Sequence, residues 1–223
     1  MTEFHVPVEE DYARKHNEFF RDAKRLQISA AILGALMFVI IAILVAVNGW
    51  QGRTIGFTIS LGIFGALCWI IIPALPKAMG SPQQYYDMYQ LAPAVIAKVN
   101  PRDMVLLSLV DASTKSKANP GPNLIEPALA ARTVTSIPGV PREVGARVPS
   151  MAVTGAQRSR RSELFQEVLP MPVAWGTSDE KVWKDAERAI PSNQWRRLEG
   201  LIDRWEEVQK DRHSLVVLRD ERK

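Results

Sequence analysis

The chain has 223 residues, and its 47% hydrophobic and 23% charged residues are typical of an ordinary globular protein. The charges are unevenly spread, because Arg53 is the only charged residue between Arg25 and Lys77. This gap argues against a purely soluble protein. The net charge of +4 is too small and too dispersed for a dedicated nucleic-acid binder. The single cysteine, Cys68, excludes an intrachain disulfide and a zinc site built from several thiolates.

Two apolar segments are each long enough to cross a bilayer as a helix. Residues 28–47 carry no charge, and at about 1.5 Å per residue they match the roughly 30 Å hydrocarbon core. Residues 55–75 repeat the pattern after a short connection, which predicts an antiparallel helical hairpin. Neither span contains Asp, Glu, Lys, Arg or His, which argues against an ion pathway or a proton relay.

The basic residues near the spans predict the orientation of the hairpin. Residues 14–25 hold five Lys or Arg side chains before the first span, Lys77 follows the second, and only Arg53 lies between them. Positive charge is retained on the cytoplasmic side of a membrane. We therefore expect two spans in the cell inner membrane with both termini cytoplasmic, and membrane lipid as one partner.

Small residues recur at four-residue spacing in both spans, a pattern that lets helix backbones approach closely in lipid. Two interpretations stay open at this point. The small residues pack the hairpin against itself, or they dock it on the spans of another membrane protein. The pairs are Ala30 with Gly34, Ala31 with Ala35, Gly56 with Ser60, and Gly62 with Ala66.

Residues 8–27, just before the first span, carry apolar side chains at helical spacing, which predicts an amphipathic helix. The first 27 residues hold five basic and six acidic side chains, so their attraction to anionic lipid is weak. We therefore expect the apolar face of this helix to pack on protein.

The chain after the second span predicts a polar, tyrosine-rich connector at residues 77–92 and then a folded domain. Short valine- and leucine-rich runs alternate there with turn residues, a spacing typical of a small antiparallel sheet or barrel. The expected strands are residues 94–99, 104–111, 128–136, 147–154, 164–175 and 215–218.

Two C-terminal helices are predicted between the last two strands. Thr177 and Glu180 form a capping box for the first, which Pro191 ends, and Ser192 starts a longer helix that runs to Val208. The predicted fold class is membrane α+β, with a transmembrane helical hairpin followed by a small antiparallel β-sheet or barrel domain and two C-terminal helices. The predicted organisation is residues 1–27 as a cytoplasmic amphipathic helix, 28–76 as the hairpin, 77–92 as the connector and 93–223 as a cytoplasmic domain.

No residue pattern in the chain is typical of a catalytic, metal or cofactor site. The three histidines lack metal-ligand spacing, and neither a nucleotide-binding loop nor a nucleophile elbow is present. We therefore expect no enzyme activity and no cofactor. The densest basic cluster, Arg158, Arg160 and Arg161, is a candidate contact for lipid headgroups or an acidic partner, and a solvated loop is the alternative interpretation.

Several segments of the second half together carry a resemblance to a known family. They are LLSLVD from Leu106, ALAARTVTSIPG from Ala128, VGARVPSMAVTG from Val144, LPMPVAWGTSDEKV from Leu169 and AIPSNQWRRL from Ala189. With the preceding hairpin, they resemble an actinobacterial (Corynebacteriales) inner-membrane protein family known only as a domain of unknown function. The resemblance implies an inner-membrane location and supplies no catalytic residue.

Three functional hypotheses follow from these observations. The first is a non-catalytic accessory or scaffolding subunit of a larger inner-membrane assembly. Its candidate host is an actinobacterial respiratory cytochrome bcc-oxidase supercomplex, because such complexes recruit small double-span subunits without redox ligands. The second is a membrane-tethered, ligand-sensing or regulatory domain in cell-envelope biogenesis. The third is an enzyme whose residues converge from distant parts of the chain.

Overall fold

The structure is a computed structural model that describes residues 4–114, 124–155 and 163–218. The chain divides into two compact units, the hairpin of residues 18–81 and a domain formed by residues 1–17 together with 82–223. The predicted fold class is confirmed, because two long apolar helices are followed by a small antiparallel two-sheet domain and C-terminal helices. The described strands form no closed barrel.

The hairpin consists of two helices, α2 (Glu18–Asn48) and α3 (Gly52–Met79). Both are long and apolar enough to cross a membrane, and only 11% of the most apolar window of each is buried. The core helix of a soluble protein would hide such a surface from water. The exposed apolar sides of both helices therefore fit a lipid environment.

Helix α3 passes through two prolines, Pro73 and Pro76, although proline commonly ends a helix. A side chain of the neighbouring helix supplies one reason why α3 continues. Pro76 has no N–H to donate to the carbonyl of Ile72 four residues earlier. The side-chain amide of Gln27 donates to that carbonyl instead, at 2.7 Å. The freed backbone oxygen is thus satisfied within the hairpin, as a membrane helix requires.

The segment before the first span does not form the single predicted helix over residues 8–27. Helix α1 (Glu10–His16) ends at Asn17, whose φ of −76° and ψ of 119° are extended, and α2 starts at the next residue. Ala13 and Asn17 are completely buried. The part of this segment up to Asn17 belongs to the compact unit of the domain, whereas the part from Glu18 onward belongs to the unit of the hairpin.

The predicted connector also contains folded structure. Residues 82–87 form a short helix, α4 (Pro82–Asp87), and the Tyr86 side chain on it is 1% exposed. The observed boundaries of the units, after Asn17 and after Ser81, therefore differ from those drawn on the sequence after residues 27, 76 and 92.

Within the described part of the domain, seven antiparallel strands form two sheets. One sheet has the order β1-β5-β6 and the other the order β2-β3-β4-β7. Pro93 joins the first strand of one sheet to the first strand of the other, and its carbonyl accepts a hydrogen bond from Leu109 N–H at 3.1 Å. The strands are β1 (Leu91–Ala92), β2 (Ala94–Val99), β3 (Met104–Asp111), β4 (Pro127–Val134), β5 (Ser150–Thr154), β6 (Val168–Pro172) and β7 (Leu215–Val217).

The C-terminal region contains three short helices in place of the two predicted. Helix α5 (Glu180–Ala189) is followed by α6 (Ser192–Glu199), and Gly200 interrupts the expected longer helix before α7 (Trp205–Lys210). The predicted capping box is wrong, because Asp179 caps α5 by accepting a hydrogen bond from Lys181 N–H at 2.8 Å.

Cation–π contacts attach these helices to the sheets. The Lys98 ammonium lies 4.5 Å from the ring of Trp205, and the Arg147 guanidinium lies 5.1 Å from the ring of Trp195. Arg147 also donates to Glu199 at 2.8 Å, and this bond raises the pKa of its guanidinium. Trp195 and Trp205 therefore have structural roles.

Candidate functional site

The two helices of the hairpin meet along a seam of small side chains. Ala30 and Gly34 of α2 are buried, as are Gly65 and Cys68 of α3. A Cβ atom on Gly34 would collide with the indole ring of Trp69 and would lie 3.3 Å from the Gly65 carbonyl oxygen. Glycine at this position therefore sets the close approach of the two helices.

The other small residues singled out in the sequence do not lie in this seam. Ala35, Gly56, Ser60 and Ala66 are exposed, and Ala31 and Gly62 are partly exposed. A Cβ atom on Gly56 or on Gly62 would meet no atom within 4 Å. Of the four pairs, the structure places only Ala30 with Gly34 between the helices.

Sequence reasoning missed two members of the seam and its polar contact. Gly65 and Cys68 stand three residues apart and therefore do not follow the four-residue spacing of small residues. Gln27 was missed because it precedes the predicted span. A proline within an apolar run was the available signal, since each such proline frees a backbone carbonyl that needs a donor.

The domain holds the chain segment before the first span through the Glu9 carboxylate. One oxygen of Glu9 accepts hydrogen bonds from Thr177 Oγ1 at 2.8 Å, Ser178 N at 2.7 Å and Ser178 Oγ at 2.9 Å. These bonds, led by the one from the Ser178 backbone, lower the pKa of Glu9. The backbone N–H of Glu9 donates to the Gly176 carbonyl at 2.9 Å.

A second set of contacts joins the two segments that flank the hairpin. The Gln83 side chain accepts from Val8 N–H and donates to the Val6 carbonyl, both at 2.9 Å. Asn17 Nδ2 donates to the Tyr86 hydroxyl at 3.3 Å, and that hydroxyl donates to the Pro172 carbonyl at 3.0 Å. The residues before α2 and after α3 therefore fold as parts of one domain.

A small cleft opens on the domain between the first strand of one sheet and the end of β3. Its cavity volume is about 30 Å³. Most of its lining is apolar, with polar atoms from Tyr89, Gln90, Asp111, Thr154 and Gln194. The principal apolar residues are Met88, Leu91, Leu109, Val110, Leu124 and Phe165.

Asp111, the one carboxylate among the described residues that line the cleft, has a structural role. Its Oδ1 atom accepts from Ser113 N at 2.9 Å and from Glu126 N at 3.1 Å, and its Oδ2 atom accepts from Ile125 N at 2.7 Å. The carboxylate thus joins the two ends of the connection between β3 and β4.

The described part of the chain contains no candidate metal centre. Within residues 4–114, 124–155 and 163–218, no group of three or more His, Cys, Asp or Glu side chains could hold a metal ion. The predicted basic cluster of Arg158, Arg160 and Arg161 lies outside the described residues.

Most of the domain matches the model of a known protein family. The family model described as "Protein of unknown function (DUF3239)" matches residues 77–206, more than half of the chain. The chain belongs to the DUF3239 family. The match confirms the resemblance to a family of unknown function. Residues 4–17 lie before the matched range, although they form part of the DUF3239 domain in this structure.

A solved structure supports the same assignment. It is described as "Crystal structure of a putative membrane protein from Corynebacterium diphtheriae", and its sequence is 39% identical to this chain. The match covers 58% of this chain and 100% of that chain, with a TM-score of 0.53. No curated protein matches the chain.

Proposed function

We propose that this DUF3239 protein is a non-catalytic accessory or scaffolding subunit of a larger inner-membrane assembly. The observation that carries the proposal is the position of Gly56 and Ser60, which are exposed on α3 and take no part in the seam of the hairpin. Small residues on an outer helix face let a second helix approach closely in lipid. A hairpin that only anchored the domain would not need them.

The scarcity of charged side chains in the spans favours docking on another membrane protein over transport of ions or protons. Between Arg25 and Lys77 the only charged side chain is Arg53, in the first turn of α3. Ionisable groups inside the membrane mark ion and proton pathways. Their scarcity here favours packing as the task of the hairpin.

The fold of the domain supports an orientation with both termini on one side. The segments before α2 and after α3 are joined by buried hydrogen bonds, such as those between Asn17, Tyr86 and Pro172. Groups that form one domain must share a side of the membrane. The concentration of Lys and Arg before the first span supports the cytoplasm as that side.

A respiratory cytochrome bcc-oxidase supercomplex is our candidate host. This choice rests on analogy with small double-span subunits that lack redox ligands.

The test is affinity purification of the tagged full-length chain in mild detergent, with quantitative identification of companion proteins. Gly56→Leu fills the outer face of α3 without touching the seam, so we expect companion proteins to be lost at least several-fold. Leu67→Ala, a change at a 54% exposed side chain of the same helix, is the control for a general loss of lipid-facing surface.

Three results would count against the proposal. They are a wild-type chain that purifies alone, a Gly56→Leu variant that keeps all of its companions, and an equal loss in the control. Respiratory subunits at constant ratio would support the nominated host, and a different stable set would replace it. Gly34→Leu is unsuitable for this test, because it would disrupt the hairpin itself.

A further inference from the structure

The cleft on the DUF3239 domain has a largely apolar lining with one strongly exposed apolar side chain, Met88. Met88, at its rim, is 57% exposed, although the residues deeper in the cleft, such as Leu91 and Phe165, are buried. Exposed apolar surface around a concave site is typical of a binding site. A methionine also adapts its shape to a slender occupant, because its side chain is unbranched and flexible.

The charge of the lining restricts what the cleft can take. No Lys, Arg or His occurs among the described residues that line it, and the Asp111 carboxylate is engaged by three backbone N–H groups. Burial raises the pKa of Tyr89, so its hydroxyl is neutral at physiological pH. An anionic group would find no counter-charge in the cleft and would lose its hydration on entry.

The size of the cleft restricts the occupant further. A cavity volume of about 30 Å³ has room for roughly two water molecules or the end of one unbranched alkyl chain. The two hairpin helices place the protein in a lipid environment, where alkyl chains are the most abundant slender apolar groups.

We infer that the cleft between β1, β3 and β5 binds the alkyl chain of an uncharged amphiphile, such as a long-chain alcohol. The chain end packs among Leu91, Val110 and Phe165, and the uncharged polar end meets the Gln90 and Thr154 side chains at the mouth. This ligand site goes beyond the proposed docking function and does not depend on it.

The experiment uses the full-length chain in phosphatidylcholine nanodiscs with a hexadecanol derivative that carries a photoreactive diazirine near its chain end. Crosslinked positions are mapped by peptide mass spectrometry. Labelling of α2 and α3 is the internal standard, because both helices contact lipid in any case. We expect additional labelling of the peptides with Met88 and Phe165, and we expect excess hexadecanol to compete with it while hexadecyl sulfate does not.

Two variants make the result specific to the cleft. Ala152→Phe fills the lining, and Met88→Glu places a charge at the rim, on a side chain that is 57% exposed. Each should lower cleft labelling by about tenfold while span labelling stays unchanged. Val144→Glu, at a 60% exposed side chain outside the lining, is the matched control and should label like the wild type.

Labelling of the spans alone would overturn the inference. So would cleft labelling that hexadecanol fails to compete, that hexadecyl sulfate competes equally, or that Met88→Glu leaves unchanged. The cleft peptides could also label in the purified chain but be shielded in native membranes, even with excess hexadecanol. That result would assign the cleft to a protein side chain and would overturn the inference too. The purification test reports separately on the proposed docking function, so failure of either proposal can be distinguished.

Discussion

The side-chain amide of Asn17 donates a hydrogen bond to the Tyr86 hydroxyl across 69 positions of sequence that contain both apolar helices. Asn17 is completely buried and Tyr86 is 1% exposed, so water cannot replace this bond. The segments before and after the hairpin are therefore structural parts of the DUF3239 domain.

We predict that Tyr86→Phe destabilises the domain by about 1–3 kcal/mol, because it leaves the buried Pro172 carbonyl without its donor. Asn17 keeps its hydrogen bond to Met171 Sδ at 3.2 Å, which limits the loss. Denaturant unfolding of the full-length protein measures the effect. Tyr12→Phe removes the same atom from a half-buried tyrosine of α1 and should change stability far less. Equal effects of the two variants would contradict the role given to Tyr86.

We predict that Glu9→Gln lowers stability at neutral pH and that this difference disappears in acid. The pKa of Glu9 is lowered in the folded protein, so its ionised carboxylate contributes stability above the ordinary value of 4.5. That contribution is lost as the pH falls from about 4.5 through the lowered pKa. Because Glu9 is exposed, we expect a loss of about 1 kcal/mol or less.

Unfolding curves of the wild type and Glu9→Gln between neutral and acid pH test this prediction. Glu10→Gln is the matched control, because that carboxylate faces only Arg14, at 3.8 Å, among the ion pairs of the described residues. A stability difference for Glu9→Gln that stays constant down to the lowest pH would rule out ionisation of Glu9 as its cause.

We predict that Gln27→Leu destabilises the hairpin by about 1 kcal/mol, because it removes the donor to the Ile72 carbonyl. In a Pro76→Ala background, α3 can satisfy that carbonyl with its own N–H. The cost of Gln27→Leu should therefore be smaller there. A double-mutant cycle on unfolding in detergent measures the difference, and a cost equal in both backgrounds would show that Gln27 does not substitute for the missing donor.

We predict that Gly139→Ala is more destabilising than Gly145→Ala. Both glycines have positive φ, 71° and 87°, so alanine is strained by about 1–2 kcal/mol at either position. Only at Gly139 would the new Cβ atom also collide with the Trp183 indole, and nothing lies within 4 Å of the equivalent atom on Gly145. Thermal unfolding of both variants compares the two costs, and a larger shift for Gly145→Ala would contradict the packing shown here.

The local elements of the fold followed closely from the sequence. Strands β2 and β3 have the predicted bounds, because valine- and leucine-rich runs between turn residues report a buried strand directly. The spans followed from the absence of charge. The ends of the elements were harder to predict. Helix α3 continues through Pro76 with a hydrogen bond from Gln27 to the freed carbonyl, and Tyr86 is bonded to Asn17. Both of these partners are distant in sequence.

The candidate surfaces were only partly foreseeable. Four-residue spacing found Gly34, which lies in the seam, and Gly56, which does not, and nothing in the spacing distinguishes them. That distinction depends on the rotation of each helix against its neighbour. A ligand-sensing domain was one hypothesis from the sequence, but the residues of the cleft were not foreseen, because its lining comes from segments as distant as Met88 and Gln194.

The cytoplasmic placement of the domain and of both termini is a central part of the proposal, and site-specific cysteine labelling tests it most directly. In a Cys68→Ala background, single cysteines replace Glu10, Trp50 or Val144, all of which are exposed. A membrane-impermeant maleimide should label the cysteine at Trp50 in intact cells and those at Glu10 and Val144 only after the membrane is permeabilised. The account would be contradicted if the cysteines that replace Glu10 and Val144 were labelled from opposite sides of the membrane, or if both were labelled in intact cells.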